Sequence, residues 1–242
     1  MGRKKGFKNK GFRYFLWTIM GVFLMVSLVF ATTTIRDSGT STFGSNLDLG
    51  SNNLTAGTVN ASNIGTVYTR WGREVCPTGA TLVYSGYAAG SYYTQSGAGS
   101  NHLCLSSSPT WDAFNDTVSN PSLLYGSEYE ITSPGMGLEA LQDFDVPCAV
   151  CLVNTATISL MVPGTQICPS GFNLQYAGYI MSKHQTQSKS EYVCVDRAMT
   201  GISGSSANNN GDLFYVTEGA CGSLPCLPYV AGREITCSVC TR

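Results

Sequence analysis

The chain has 242 residues, of which 43% are hydrophobic and only 12% are charged, and its formal net charge at pH 7 is −1. This composition excludes a charge-rich disordered chain, and the lack of a strongly basic balance argues against a nucleic-acid partner. The length and the apolar content allow a real hydrophobic core, in one large domain or in two small ones.

Basic residues are concentrated at the N-terminus. Six of the fourteen Lys and Arg residues lie in the first thirteen positions, whereas residues 36–242 carry eight Lys/Arg against fifteen Asp/Glu. Residues 14–35 are uncharged and mostly apolar, and a helix of that length crosses a hydrocarbon layer of about 30 Å. We therefore predict a cytoplasmic basic tail at 1–13 and a transmembrane signal anchor at 14–35, with an extracellular C-terminal part, as in a single-pass type II protein. The alternative is a signal peptide cleaved near Ala31, which would release a secreted protein.

The next segment, 36–66, is rich in Gly, Ser, Asn and Thr and contains no cysteine. Apolar residues recur there at every fifth position, a period that fits neither an amphipathic helix nor an alternating strand. They are Leu49, Leu54, Val59 and Ile64. We predict a low-complexity stalk, either a flexible glycosylated spacer or an ordered stalk made of β-solenoid turns or of the intertwined strands of a trimer. Three N-x-S/T sequons, at Asn53, Asn60 and Asn115, are the predicted glycosylation sites of a glycoprotein.

After the stalk the chain repeats itself. The motif Cys76-Pro-Thr-Gly returns ninety-two residues later as Cys168-Pro-Ser-Gly, and ten of the twenty-one positions from Cys76 to Ser96 are identical at that offset. Each half then continues with one further cysteine and a C-x-x-C pair. Short β-prone runs alternate with Gly- and Ser-rich loops, and no helical period exceeds two turns. We therefore predict an all-β fold of two tandem pseudo-repeats, 67–153 and 154–242.

All ten cysteines lie in these two repeats. An even number in an oxidising compartment predicts five disulfide bonds, and the 85 residues between the two C-x-x-C pairs are too many for a tetrathiolate zinc site. Cys221 and Cys226 lie in a predicted insertion that is absent from the first repeat, so they are expected to pair with each other. The connectivity of the other eight stays open, within each repeat or across the two. These are Cys76, Cys104, Cys148, Cys151, Cys168, Cys194, Cys237 and Cys240.

The sequence predicts no catalytic residue, no metal site and no cofactor. Neither His102 nor His184 has a counterpart in the other repeat, which favours surface or loop positions for both. The recurring carboxylates Glu128 and Glu218 are expected to orient loops. No nucleophile elbow, phosphate loop or dinucleotide fingerprint occurs in the chain.

Two pairs of tyrosines recur between the repeats. Tyr84 and Tyr87 in the first correspond to Tyr176 and Tyr179 in the second. An exposed face of this kind can bind a sugar ring, so a carbohydrate-binding, lectin-like surface protein is the alternative function. Packing of the same rings at strand edges is the other explanation of the pattern.

Four segments of the two repeats resemble one family. They are Val67–Pro77, Asp145–Cys151, Glu191–Asp196 and Cys221–Cys226. In order and spacing they are similar to the C-terminal non-collagenous domain of short-chain, sponge-type (C4-like) collagens, which is distantly like the terminal domain of type IV collagen.

The resemblance implies a disulfide-rich tandem β repeat that self-associates, with a trimer as one form, in the extracellular matrix or at the cell surface. No Gly-X-Y run is present, so no collagen triple helix can form, and assembly must come from the repeats or the stalk. We therefore expect a membrane-tethered structural or adhesion module with a matrix or cell-surface partner, and not an enzyme.

Overall fold

The computed structural model describes residues 65–113, 116 and 122–242. The predicted tail (1–13), the predicted signal anchor (14–35) and all but the last two residues of the predicted stalk lie outside this part of the chain. The three sequons, at Asn53, Asn60 and Asn115, lie outside it as well. Within the described ranges, no helix is long and apolar enough to span a membrane.

Ten β-strands and one short 3₁₀ turn make up the regular structure of the described residues. The strands are β1 (Thr66–Trp71), β2 (Thr81–Gly90), β3 (Leu103–Ser106), β4 (Tyr125–Glu130), β5 (Pro147–Val153), β6 (Ser159–Pro163), β7 (Asn173–Ser182), β8 (Val193–Asp196), β9 (Asp212–Val216) and β10 (Thr236–Thr241), and the turn spans Glu139–Leu141. The all-β prediction is confirmed. Alternating apolar and polar residues with Gly-rich turns favour strands. Every strand except β3 and β6 contains buried residues.

All ten strands belong to one hydrogen-bonded sheet. Its order is β6-β10-β7-β8-β1-β5-β2-β4-β9, with β3 paired to β2, and a further pairing of β7 with β9 closes a circuit of strands. Two pairings, β1 with β8 and β4 with β9, are parallel. These two are also the pairings that join the first half of the chain to the second.

The two halves repeat the same set of strand pairings. In the first half β1, β5, β2 and β3 or β4 pair in turn, and in the second half β6, β10, β7 and β8 or β9 do the same. Even an irregularity recurs, because the pairing register shifts between Leu82 and Tyr84 in β2 and between their counterparts Leu174 and Tyr176 in β7. A residue in β1 or β2 and its counterpart in the second half are 92 positions apart in the sequence. For residues in β3 and β4 this offset is 90 positions.

A duplicated glycine allows the third strand of each half to approach its neighbour closely. A Cβ atom at Gly86 would overlap the carbonyl oxygen of Leu105, and one at Gly178 would overlap the carbonyl oxygen of Val195. Any larger residue must therefore push β3 away from β2, or β8 away from β7.

We expect Gly86→Ala to lower the free energy of unfolding by about 1–3 kcal/mol, because the added methyl forces a backbone shift in a packed region. Gly126→Ala is the matched control, since a Cβ at Gly126 meets nothing within 4 Å. Urea unfolding of the oxidised variants measures both changes. Equal stability of the two variants would contradict the close approach of β3 to β2.

The five predicted disulfides are confirmed, and the structure resolves their connectivity. They join Cys76 to Cys151, Cys104 to Cys148, Cys168 to Cys240, Cys194 to Cys237 and Cys221 to Cys226. Every bond stays within one half, and the first two recur at the corresponding positions as the third and fourth. Cys221 pairs with Cys226 as expected. The prediction that their segment is an insertion is wrong. Matched bridges of Glu128 with Asp145 and of Glu218 with Glu234 show that 219–233 stands in the place of 129–144 of the first half.

The hydrophobic core is shared between the halves. One cluster contains Trp71 and Tyr129 from the first half together with Val195 and Phe214 from the second. A second cluster likewise contains Tyr68 beside Tyr176. Since both clusters combine residues of the two halves, neither half has a separate core, and the two pack as one compact unit.

Candidate assembly surface

The two halves meet where β1 runs beside β8. Trp71 pairs with Val195 in a parallel bridge. Beside it, the guanidinium of Arg70 contacts the carboxylate of Asp196 through two nitrogens, with Nη2–Oδ2 at 2.6 Å and Nε–Oδ2 at 2.8 Å. Both side chains are largely buried, at 11% and 4% exposure. Loss of either partner of such a pair would leave an uncompensated charge in the junction, which is strongly destabilising.

Two tyrosines fill the space under this junction. Tyr68 and Tyr176 pack with their ring centroids 6.1 Å apart. The Tyr176 hydroxyl lies 3.1 Å from the carbonyl oxygen of Thr69 in β1 and 2.9 Å from that of Cys194 in β8, so it bridges the two strands. Burial raises the pKa of Tyr68 to about 12 and that of Tyr176 further, so both phenols stay protonated and act as donors.

The loop that follows β8 continues the junction across the first half. The Thr200 N–H donates to the Gly72 carbonyl at 2.9 Å, and the Ile202 N–H donates to the Asp145 carbonyl at 3.1 Å. A Cβ at Gly72 would lie 2.9 Å from the Cβ of Met199, so this loop rests directly on the backbone at the end of β1.

Glu128 holds the far end of the same loop. Its two carboxylate oxygens accept the N–H groups of Asn209 at 2.9 Å and of Asn210 at 3.1 Å. Burial raises the pKa of this carboxyl group, and the two N–H donors oppose that rise. Glu128 therefore orients a loop, as expected from the sequence, whereas its counterpart Glu218 is exposed.

Glu128 also belongs to an acidic cluster. Its carboxylate and those of Glu130 and Asp143 lie within 4.8 Å of one another, close enough for a hard cation. The Gln142 amide nitrogen donates to Glu130 at 2.6 Å and to Asp143 at 2.7 Å. Each of the three carboxylates thus accepts a hydrogen bond from another residue of the fold, and we assign no metal chemistry to the cluster.

A buried polar network also crosses between the halves. The carboxylate of Asp212 is fully buried and accepts hydrogen bonds from His102 Nδ1 at 2.9 Å and from Ser127 Oγ at 2.5 Å. The ammonium of Lys183 lies 3.3 Å from its other oxygen and donates to Ser91 Oγ at 2.7 Å. His102 lies in the loop before β3, one of the two expected positions, but it is not at the surface. Its ring is buried in this network and packs edge-on against Phe214.

His184 lies in the loop after β7, as expected. Its Nδ1 atom is 2.9 Å from the Thr186 hydroxyl. Together with Glu130, Tyr215 and Glu218 it lines a polar cavity of about 400 Å³. No carboxylate orients the imidazole, so the described residues around it do not form a general-base pair.

The strands that correspond to β1 and β8 in the opposite half, β6 and β3, do not form a second junction of this kind and are exposed. Repetition of the β1–β8 contact would place β6 beside β3. Among the residues that the structure describes, however, β6 pairs only with β10, and β3 only with β2. In β3, Leu103 and Leu105 are 43% and 37% exposed, whereas their counterparts Val193 and Val195 are 4% and 0% exposed.

The same contrast holds for β6 and for the tyrosine beneath the junction. Leu160 is 41% exposed, whereas its counterpart Tyr68 is 8% exposed. Tyr84 is 38% exposed, whereas Tyr176 is 5% exposed. We call β3 with Tyr84 the β3 edge, and β6 with Gly164 the β6 edge.

The four recurring tyrosines do not form a common exposed face. Tyr84 and Tyr87 are exposed, but Tyr176 is buried and Tyr179 is half-buried. Tyr176 therefore cannot contact a sugar, since the junction covers its ring. The hydroxyl of Tyr84 donates to the Cys104 carbonyl at 3.0 Å, which repeats the bond from Tyr176 to Cys194.

The geometry thus defines a module with one internal junction and two exposed edges that match the halves of that junction. Protein–protein contact is the chemistry that such apolar strand edges support, because unpaired edges readily accept another strand. No protein-family model matches the chain.

Proposed function

We propose that this protein is an extracellular structural module that assembles with copies of itself. The β3 edge of one copy contacts the β6 edge of the next, in the geometry that β8 and β1 adopt within the chain. The observation that carries the proposal is the pair of apolar edges whose counterparts are buried in the internal junction.

The correspondence extends past the strands into the loops. Residues 107–124 align with 197–214 without a gap, so Thr110 corresponds to Thr200. On the receiving side Gly164 corresponds to Gly72, and both have a backbone φ of +85°. The Thr110 N–H of one copy would then donate to the Gly164 carbonyl of the next, as Thr200 donates to Gly72.

The chemistry of the exposed edges favours apolar association. Val162 occupies the position of Arg70, and Ser106 occupies that of Asp196, so the buried ion pair of the internal junction is absent between copies. Such an interface avoids the cost of desolvating two charges. Its strength is therefore expected to depend little on salt concentration.

The two edges differ, so the contact is heterologous. Contacts of this type close into rings when the rotation between copies allows it, and otherwise give open chains. A trimer, one form that the resemblance to short-chain collagens implies, is one such ring. The predicted signal anchor would hold the assembly at the cell surface, and the absence of Gly-X-Y repeats leaves the repeats themselves or the stalk to drive it.

The test is the native mass of the full chain, purified in mild detergent. We expect the wild type at a multiple of its 25.8 kDa, and the Leu105→Asp variant at the mass of one chain. A carboxylate at the centre of the β3 edge must be desolvated without a partner, which weakens association at least a hundredfold.

Leu82→Asp is the matched control. Leu82 is 45% exposed, and its counterpart Leu174 stays 50% exposed beside the internal junction, so this position remains outside the contact. The control is expected to assemble like the wild type. A monomeric wild type, or a Leu105→Asp variant that still assembles, would contradict the proposal.

A further inference from the structure

Trp111 is a large aromatic side chain in an exposed position. It lies five residues after the end of β3 and is 77% exposed. Full exposure of an indole is costly, and tryptophan is among the residues most enriched at the energetic centres of protein interfaces. Trp111 lies beside the β3 edge, so the proposed assembly would bring a surface of the next copy against its ring.

The internal junction locates the counterpart of Trp111. The gap-free alignment of the two loops makes Gly201 that counterpart. A Cβ atom at Gly201 would overlap the ring of Phe144, so in the internal junction there is no space for a side chain. A position corresponding to Trp111 therefore faces a position corresponding to Phe144.

The counterpart of Phe144 in the second half is Arg233. Each precedes a residue in a matched β-bridge, since Asp145 bridges Glu128 as Glu234 bridges Glu218. Where the first half presents a phenylalanine ring, the second half presents a cavity of about 250 Å³. The lining of this cavity, which we call the Arg233 cavity, includes Gly164, Pro228, Tyr229, Val230, Arg233 and Ile235.

The large and the small partner change sides between the internal junction and the proposed contact between copies. Inside the chain a glycine meets a phenylalanine, whereas between copies a tryptophan would meet a cavity large enough for an indole. Val230 at the rim is 37% exposed. The lining combines apolar residues with the polar side chains of Tyr229, Arg233, Glu234 and Thr236. A guanidinium over an indole face is a favourable pairing.

Tyr229 gives a second point of agreement with the internal junction. A Cβ at Gly164 would lie 2.6 Å from the Tyr229 hydroxyl, and one at Gly72 would lie 3.1 Å from the Tyr129 hydroxyl. Tyr129 donates to the Thr200 carbonyl of the docked loop at 3.1 Å. Each half thus has a tyrosine hydroxyl beside the glycine that contacts, or in the proposed assembly would contact, the incoming loop. The two tyrosines nevertheless come from dissimilar segments.

We infer that Trp111 of one copy inserts into the Arg233 cavity of the next copy and anchors the assembly. The inference rests on the proposed self-association and names the residues that supply most of its strength. Trp111 is the inserted side chain, Arg233 stacks on its face, and Tyr229 donates to the backbone of the arriving loop.

The first experiment places the photoreactive residue p-benzoylphenylalanine at position 111 of the full chain. Isotopically heavy and light copies are mixed before irradiation. We expect heavy-to-light cross-links to peptides within residues 228–236. Cross-links confined to one chain, or directed elsewhere on the second copy, would overturn the anchor.

The second experiment measures the concentration at which the full chain dissociates. Trp111→Ala is expected to raise it about 30-fold, the loss typical of a central interface tryptophan. Val230→Trp is expected to do the same by filling the cavity from the other side, and Leu82→Ala is expected to change nothing. Because Trp111 and Val230 lie at the surface, unchanged thermal unfolding of these variants shows that they fold.

The outcomes separate the two proposals. A wild type that is monomeric at all concentrations rejects both. A wild type that assembles, is dispersed by Leu105→Asp and is unaffected by Trp111→Ala retains the edge contact and rejects the anchor.

Discussion

Asp212→Ala is expected to lower the free energy of unfolding by about 3–5 kcal/mol, the cost of breaking a buried ion pair from one side. The Asp212 side chain is fully buried, and it is the acceptor shared by His102, Ser127 and Lys183. Its removal leaves the ammonium of Lys183, whose side chain is 1% exposed, without a compensating charge. Denaturant unfolding of the oxidised protein at pH 7 measures the loss.

Two further variants test this explanation. Asp212→Asn keeps the shape of the side chain but removes its charge, so it should also destabilise the protein. Glu74→Ala removes an exposed carboxylate and is expected to change stability by less than about 0.5 kcal/mol. If Asp212→Ala were as stable as Glu74→Ala, the network would have no role in joining the halves.

The second large effect concerns the disulfides. Replacing Cys76 and Cys151 together with alanine is expected to cost about 4 kcal/mol, because this bond closes a loop between residues 75 positions apart. Replacing Cys221 and Cys226 together is expected to cost only about 2 kcal/mol, since these residues are 5 positions apart. A longer loop loses more entropy when it is closed in the unfolded chain.

Urea unfolding without reductant measures both double variants against the wild type. The short-loop variant is the control, as it removes the same number of sulfur atoms from the exposed 219–233 segment. Equal losses in the two variants would show that the entropy of the unfolded chain does not set the contribution of these bonds.

The sequence was sufficient to predict the all-β class, the number of disulfides and the bond between Cys221 and Cys226. Alternation, Gly-rich turns and the recurring C…C…C-x-x-C order reflect local chemistry, and the strands and bonds follow it. The pairing of each C-x-x-C cysteine was not predictable. Cys148 and Cys151 are three positions apart in β5 and therefore point to opposite faces of the sheet. Cys148 meets Cys104 of β3, and Cys151 meets Cys76 in the loop before β2, so the pairing depends on the tertiary arrangement.

The sequence could not predict which of two corresponding residues is buried, because their local sequences are nearly identical. Tyr84 and Tyr176 occupy matched positions, yet only Tyr176 lies under the internal junction. Likewise, His102 is buried because Asp212, 110 positions away, reaches it from β9. Neither difference has a local signal, since both depend on how one half docks on the other.

The confinement of every disulfide to one half has a consequence for the origin of the chain. The backbone at 154–158 is the only covalent connection between two units that each carry their own bonds and one of each type of edge. An ancestor of a single repeat would have carried both edges and needed no partner of another sequence. Gene duplication and fusion would turn one such contact between chains into the internal junction, free to acquire Arg70 and Asp196, while the other contact stayed between molecules. In the proposed assembly, a fused chain would need half as many copies to complete the same ring.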